Sequence, residues 1–476
     1  MEREPRVSFG ELWGALLPVG RDARTGGYRR YSWTPADLEC REWFRAAATQ
    51  RGLRTECDRN GNLWAWWDAW AEADPSDPSV PAVPAGPAVP GPARQSAPLP
   101  AGAIVTGSHL DSVPDGGAFD GPLGIISAFA ALDLLRSQGF APVRPIGIAA
   151  FTEEEGARFG VACLGSRLAT GAIGPDAARE LRDGSGVSLA EAMTTAGLDP
   201  AVIGPDDDRL AGLAAYVELH IEQGSALAGL GAPVGIAEGI WPHGRWRLEL
   251  TGRADHAGTT RIADRRDPML PYAAAVLAAR QAASARGGLA TFGKVVAEPG
   301  GANAICSAVR AWLDARAPDE ATVGRIVDEV SAAAQAAALD QRVGFSLRRE
   351  SFTRLVSFDA GLRERIGRVL AAAGGGAGGG AGGGAAGDGA ARDSAAGAVP
   401  VPVPVPAAGA VPVPVPVLPT GAGHDAGVLA ARLPTAMLFV RNPSGVSHSP
   451  AEHAEPADCE AGAVALAAVL ADLAGS

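Results

Sequence analysis

The chain has 476 residues, 47% of them apolar and 20% charged, which is enough for two packed cores and unlike a fibrous or wholly disordered polymer. Its formal net charge of −12 counts against a nucleic-acid partner, because binding phosphate needs clustered positive charge. The opening Met1-Glu2-Arg3-Glu4-Pro5 lacks a basic stretch leading into an apolar one, and no uncharged stretch of the required length suggests a transmembrane helix; a cytoplasmic protein without a membrane partner is expected.

Taken in chain order, the first break in the globular texture is 75–102, rich in Pro, Ala and Val. Residues 104–107 and 146–151 are short apolar runs bounded by turn signals, as buried parallel strands are, and 123–138 between them has helical character. In the middle, Trp246, Leu248 and Leu250 alternate with polar residues; a helical stretch over 268–286 and two strand-like runs, 289–297 and 308–315, follow. Val323, Ile326, Val327 and Val330 then lie at helical spacing behind Pro318-Asp319-Glu320, ahead of a strand near 343–347. That order, βαββαβ, is the split βαβ pattern of a small α+β domain set into an α/β one. Finally 371–419 runs through Gly-Gly-Gly-Ala repeats into Val-Pro repeats, a composition that buries too little side chain to offset ordering entropy. Both low-complexity stretches are expected to be mobile surface insertions. The organisation predicted is a catalytic domain over 1–229 and 348–476, interrupted by a domain over 230–347. The fold class predicted is α/β, a mixed sheet with helices on both faces, plus the inserted ferredoxin-like domain.

Five of the seven histidines sit in short motifs flanked by carboxylates or glycines. These are Gly107-Ser108-His109-Leu110-Asp111, Glu218-Leu219-His220, Ala254-Asp255-His256-Ala257-Gly258, Gly423-His424-Asp425 and Ser447-His448-Ser449, accompanied by Phe119-Asp120-Gly121 and Glu153-Glu154-Glu155-Gly156. Imidazoles and carboxylates together are ligands for non-redox divalent ions, and two ions sharing a carboxylate activate one water. A lone histidine at a strand end is ordinarily structural. Asp111, two residues on, changes that reading, because it is placed to hold the second ring nitrogen of a ligating His109. The glycines around Asp120 free the backbone to bring its carboxylate in, and a phosphate loop is disfavoured because no Gly-Lys-Ser/Thr follows. Adjacent glutamates past a buried strand can divide the work, Glu155 ligating and Glu154 carrying a proton for the water. Cys40, Cys57, Cys163, Cys306 and Cys459 are odd in number and never form Cys-x-x-Cys, so neither a disulfide framework nor a thiolate zinc site is expected.

In this motif order, from about Arg29 onward and excepting the two insertions, the chain resembles the N-carbamoyl amino acid hydrolase, β-ureidopropionase and allantoate amidohydrolase branch of the dinuclear metal aminoacylase and carboxypeptidase superfamily. The resemblance implies two divalent ions per subunit, of zinc, manganese, cobalt or nickel. His109, Asp120 and His220 would hold one ion and Asp120, Glu155 and His448 the other, with Glu154 as general base and His424 supporting the site. It further implies substrate contacts from Gln223, His256, Asn303, Arg316 and Gly445, with Arg316 making a two-point contact to a carboxylate and His256 polarising the scissile carbonyl across a homodimer. The inserted domain would then serve as lid and dimerisation domain. The expected substrate is a small ureido or N-carbamoyl carboxylate. Allantoate comes first, because Trp241-Pro242-His243-Gly244-Arg245-Trp246 resembles the stretch in bacterial allantoate amidohydrolases; N-carbamoyl-L-amino acids come second, and N-acyl or N-formyl amino acids or a dipeptide remain open. A non-catalytic ligand-binding homologue is the reading from another class, set against the complete ligand set. The chain departs from the family's usual pattern at Arg261-Ile262, where Pro-Met is common, and at Ala304 and Cys306, where Asn-Val-Ile-Pro is common.

Overall fold

The computed structural model describes residues 9–68, 101–374 and 415–475. The chain divides into two compact units, one built from Met1–Glu238, Phe358–Leu418 and Gly423–Ser476, the other from Gly239–Ser357 and Pro419–Ala422. Of the low-complexity stretches only 101–102, 371–374 and 415–419 are described, so the expectation of surface insertions lies otherwise outside the described residues.

The first unit is organised by strands β1 (Arg54–Cys57), β2 (Leu63–Trp67), β3 (Ala103–His109), β4 (Ile146–Phe151), β5 (Leu213–Ile221) and β6 (Val234–Ile240). The second unit supplies β7 (His243–Thr251), β8 (Asp255–His256), β9 (Leu289–Glu298), β10 (Ala304–Ile305), β11 (Ala308–Arg316), β12 (Gly344–Thr353) and β13 (Val356–Ser357). The chain then returns through β14 (Val417–Thr420) to β15 (Thr435–Val440).

In the first unit the sheet order is β1-β2-β4-β3-β5-β15-β6. The four central strands β4, β3, β5 and β15 run parallel, while β2 and β6 pair antiparallel at either side. Every residue of β3 and β4 is buried, which is why they read as unbroken apolar or small runs. Strand β2 shows the alternation of faces: Leu63, Ala65 and Trp67 join the large core on one side, and Trp64 and Trp66 stack at 5.6 Å on the other. The helix Pro122–Ser137 starts with proline at its first turn and is buried nearly all round, because it packs on β3, β4 and β5 and against the helices Pro456–Ala474 and Phe9–Leu16. Phe129 within it is fully buried, and replacing it with alanine should cost about 3–5 kcal/mol. On the opposite face the short helices Leu164–Thr170 and Asp425–Leu429 pack on each other, the latter also on β5 and β15.

In the second unit an antiparallel sheet of order β12-β7-β11-β9 carries the helices Met269–Arg286 and Glu320–Asp340, in the chain order βαββαβ. Asp319 caps the second helix by accepting from the Thr322 N–H at 2.8 Å. The unit begins at 239 and ends at 357 rather than at 230 and 347. At its start, Val234 and Ile236 of β6 still pair with β15; at its end, β12 stays paired with β7 as far as Thr353. Among the described residues no helix is long and apolar enough to cross a membrane.

Candidate metal centre

The parallel strands of the first unit end at one edge, and their ends carry the polar residues. His109 closes β3, Glu153, Glu154 and Glu155 follow Phe151 of β4, His220 is the penultimate residue of β5, and His448 lies in the loop beyond β15. Asp120 reaches the same place from the turn after β3. That turn passes so close to the imidazole that a Cβ on Gly121, whose φ is +84°, would lie 2.4 Å from His109 Cε1.

Three imidazoles converge on Asp120. Its Oδ1 lies 3.1 Å from His220 Nε2 and 3.5 Å from His109 Nε2, and its Oδ2 lies 3.4 Å from His448 Nε2, which is also 3.5 Å from Glu155 Oε2. The other ring nitrogens of the buried pair are committed to main-chain carbonyls, His109 Nδ1 to Asp111 O at 3.1 Å and His220 Nδ1 to Ile221 O at 2.9 Å. A carbonyl can only accept, so Nδ1 carries the proton in each neutral ring and Nε2 presents a lone pair. Lone pairs that face a carboxylate at such distances require a cation between them, either a proton or a metal ion. His109 Nε2, His220 Nε2 and Glu155 Oε1 are buried and make no hydrogen bond, so the donor set fits divalent ions. Two overlapping groups could hold them: His109, Asp120 and His220, and Asp120, Glu155 and His448. A third group, Glu218, His220 and His424, is less suited, since both Glu218 oxygens already accept hydrogen bonds, from Ser108 Oγ at 2.9 Å and from Ala426 N at 3.0 Å.

Protonation equilibria show the same demand for positive charge. Burial disfavours the imidazolium of His109, yet Glu154, Asp111 and Asp120 outweigh it and hold its pKa well above the ordinary value. Burial likewise opposes charge on Asp120, but His109 and His220 keep its carboxyl well below the usual range. Glu154 and Glu155 are pushed well up, first by burial and then by like charges, Asp425 and Asp120 foremost respectively.

The three consecutive glutamates have three different surroundings. Glu153, at φ 55°, turns back to accept the N–H groups of Arg158 and Phe159 at 2.8 and 2.7 Å. Glu154 places Oε2 3.6 Å from His109 Nε2, and Glu155 faces His448. Asp111 ties them together: its two carboxylate oxygens each lie 3.1 Å from the N–H groups of Glu154 and Glu155, while its carbonyl serves His109 and its Oδ1 lies 3.5 Å from that ring. The support expected of Asp111 for the imidazole therefore comes chiefly from its main chain, and its side chain orders the glutamate pair.

Gln223, expected at the substrate, donates from Nε2 to Asp120 Oδ2 at 3.0 Å and to Ser447 Oγ at 3.1 Å, leaving its buried Oε1 without a hydrogen bond. Gly445, at φ +69°, shapes the His448 loop where it passes Ser225. His424 is buried with its ring 4.4 Å from that of His220, and burial together with His220 holds its pKa well down. Glu452 was not singled out from the sequence. It accepts the N–H groups of Phe119 and Asp120 at 3.1 and 3.0 Å through Oε2 and the Ser447 hydroxyl at 3.2 Å through Oε1, thereby fixing the backbone of Asp120. Its only signal was proximity to the Ser447-His448-Ser449 motif.

His256, Asn303 and Arg316 belong to the second unit. Strands β8 and β10 pair His256 with Ala304, and the Ala257 N–H donates to Asn303 O at 3.0 Å, so His256 and Asn303 share one exposed turn cluster. His256 Nδ1 accepts from the N–H groups of Gly258 and Thr259 at 3.0 and 3.1 Å, which leaves the ring proton on Nε2. Arg316, at the end of β11, is gripped by Asp314 at 2.7 and 3.2 Å and by the Gly421 carbonyl.

A mixed sheet with this cluster at the parallel strand ends defines a metal-dependent hydrolase. The chain belongs to peptidase family M20/M25/M40, whose model matches residues 105–308 and 406–472. It is 31% identical to the N-carbamoyl-L-amino acid amidohydrolase of Geobacillus stearothermophilus, over 96% of each chain, and 28% identical to the allantoate amidohydrolase of Escherichia coli K12, over 98% of each. Among solved structures, that of AtUAH in complex with (S)-hydroxyglycine is similar over 99% of both chains, with a TM-score of 0.74 and 25% identity.

Proposed function

We propose that the protein hydrolyses a ureido or carbamoyl C–N bond in a small carboxylate, with allantoate as first candidate and N-carbamoyl-L-amino acids as second. The observation that carries the reading is the set of imidazole Nε2 atoms and carboxylates around Asp120. In this reading His109, Asp120 and His220 hold one ion and Asp120, Glu155 and His448 the other. Such ions would polarise the scissile carbonyl and make a water acidic enough to attack near neutral pH. Glu154 serves as the base: its Oε2, on the His109 side, takes the proton of the attacking water and passes it to the leaving nitrogen. From the second unit, His256 offers its Nε2–H to the carbonyl oxygen, and the two N–H groups of Arg316 not engaged by Asp314 and Gly421 suit a carboxylate. Asn303, Gln223 and Gly445 complete the substrate contacts, and the second unit acts as lid and as the dimerisation domain of a homodimer. The relatives' names support small amide and ureide substrates, and the AtUAH complex supports a site that accepts a short α-substituted carboxylate.

The test is a substrate panel on protein loaded separately with zinc, manganese, cobalt and nickel: allantoate, N-carbamoyl-L-amino acids, N-formyl amino acids and dipeptides. Ammonia release from allantoate well above the rest is expected. Hydrolysis confined to dipeptides would overturn the reading.

A further inference from the structure

Glu154 is held more completely than its motif accounts for. Its N–H donates to Asp111 Oδ1 at 3.1 Å, its carbonyl accepts the Cys163 N–H at 2.6 Å, and its Oε1 lies 3.3 Å from Cys163 Sγ. Residues 152–154 and 163–165 are stitched together, since Leu164 N–H donates to Glu153 O at 3.0 Å and Gly165 N–H to Thr152 O at 2.9 Å. Cys163 itself sits at φ 54°, a conformation that side-chain-bearing residues enter only when their surroundings impose it. The Ser166 hydroxyl lies between the Cys163 carbonyl, at 3.1 Å, and Asp425 Oδ1, at 2.5 Å. Among the described residues, Cys163 is the only side chain that donates a hydrogen bond to Oε1.

We propose that the Cys163 thiol is a positioning residue for Glu154, donating its S–H to Oε1 so that Oε2 stays on the His109 side, where the proton is taken up. The inference rests on the base role given to Glu154 above. Burial, with Glu154 and Asp425 adding their negative charge, pushes the thiol pKa well above its ordinary value, so sulfur remains protonated and is neither a nucleophile nor an anionic ligand. A thiol is a weak donor and therefore fixes the orientation of the carboxylate while taking little from its basicity.

The experiment has a kinetic arm and a spectroscopic arm, both on metal-loaded protein. Cys163→Ala should lower kcat about tenfold or more, the scale on which misorientation of a reacting group acts, with KM and metal content unchanged. Cys163→Ser, which restores a donor, should recover most of that loss. Equal losses in the two variants, or loss of metal in Cys163→Ala, would overturn the proposal, because either would mean a packing role. In the infrared, the S–H stretch that disappears in Cys163→Ala identifies this thiol among the five cysteines. In Glu154→Gln that band should move to higher wavenumber, since an amide oxygen accepts more weakly than a carboxylate. A band that does not move would overturn the proposal whatever the kinetics. If the wild-type protein turned over nothing in the substrate panel, the functional reading would fail while the infrared arm still decided whether the thiol holds Glu154.

Discussion

The two units prepare their candidate histidines in opposite ways, the exposed His448 of the first unit excepted. In the first, His109 and His220 are 0% and 1% exposed and each ring is oriented through a main-chain carbonyl. In the second, His256 and Asn303 are exposed and belong to a turn whose N–H groups donate into the imidazole. The same residue type is thereby prepared for opposite tasks. The buried rings present lone pairs, as cation ligands must, and the exposed ring presents a proton, as a group that polarises a carbonyl must. Burial raises the stakes in the first unit only, because there an unpaired lone pair or charge has no water to turn to.

The contrast can be broken by mutation, and the largest effect is expected at the base. Glu154→Gln should keep both ions by elemental analysis while kcat falls at least about a hundredfold. Loss of an ion there, with none lost in Glu155→Gln, would exchange the roles of the two glutamates. His256→Ala should lower kcat by about ten- to a hundredfold without touching metal content, in keeping with loss of one donor to a developing oxyanion. Mixing His256→Ala with Glu154→Gln subunits sharpens the point: activity regained in demonstrated heterodimers places His256 at the partner's site, and none regained places it at its own. Arg316→Lys should raise KM about tenfold and leave kcat nearly alone, the scale of one lost charge-assisted hydrogen bond. Chelation should lower the thermal midpoint in proportion to the logarithm of the free-ion concentration removed, since ions at a hundredfold excess over Kd stabilise by about 3 kcal/mol. A midpoint indifferent to chelator would break the assignment of the first unit's cluster to metal. The smallest effect is expected from shortening 376–411 to a brief Gly-Ser link, where loop-closure entropy predicts a change of about 1 kcal/mol or less in unfolding free energy.

Much of this contrast was legible in the chain, for identifiable reasons. The unbroken apolar run of β4 and the periodicities of β7 and the helix Glu320–Asp340 survive because each faces a core on one side or on both, so packing wrote itself into residue type. The ligand candidates were legible because imidazole and carboxylate side chains in short Gly-flanked motifs are rarely accidental. What stayed hidden works through the backbone or across long separations. Glu452 holds the N–H groups of Phe119 and Asp120, which no residue identity signals, from 333 and 332 positions away. The side chain of Asp111 serves two neighbouring glutamate N–H groups for the same hidden reason. Strands β1, β2, β5, β6 and β15 were not foreseen either; β2, with its Leu-Trp-Ala-Trp-Trp, is apolar on both faces and so carries no alternation to read.

Strand β15 has a consequence for how the molecule comes into being. It is the last strand in the chain, yet it lies between β5 and β6 in the interior of the first unit's sheet. A ribosome that has delivered β5 and β6 must emit roughly two hundred further residues before the strand that belongs between them exists, and meanwhile β5, buried along almost its whole length in the finished protein, keeps an open hydrogen-bonding edge. Closure of the first unit's sheet therefore waits on the late arrival of β15. The nascent chain passes through a stage at which the inserted unit has all of its long strands while its host sheet is incomplete, the stage at which a chaperone that shields strand edges would be most useful.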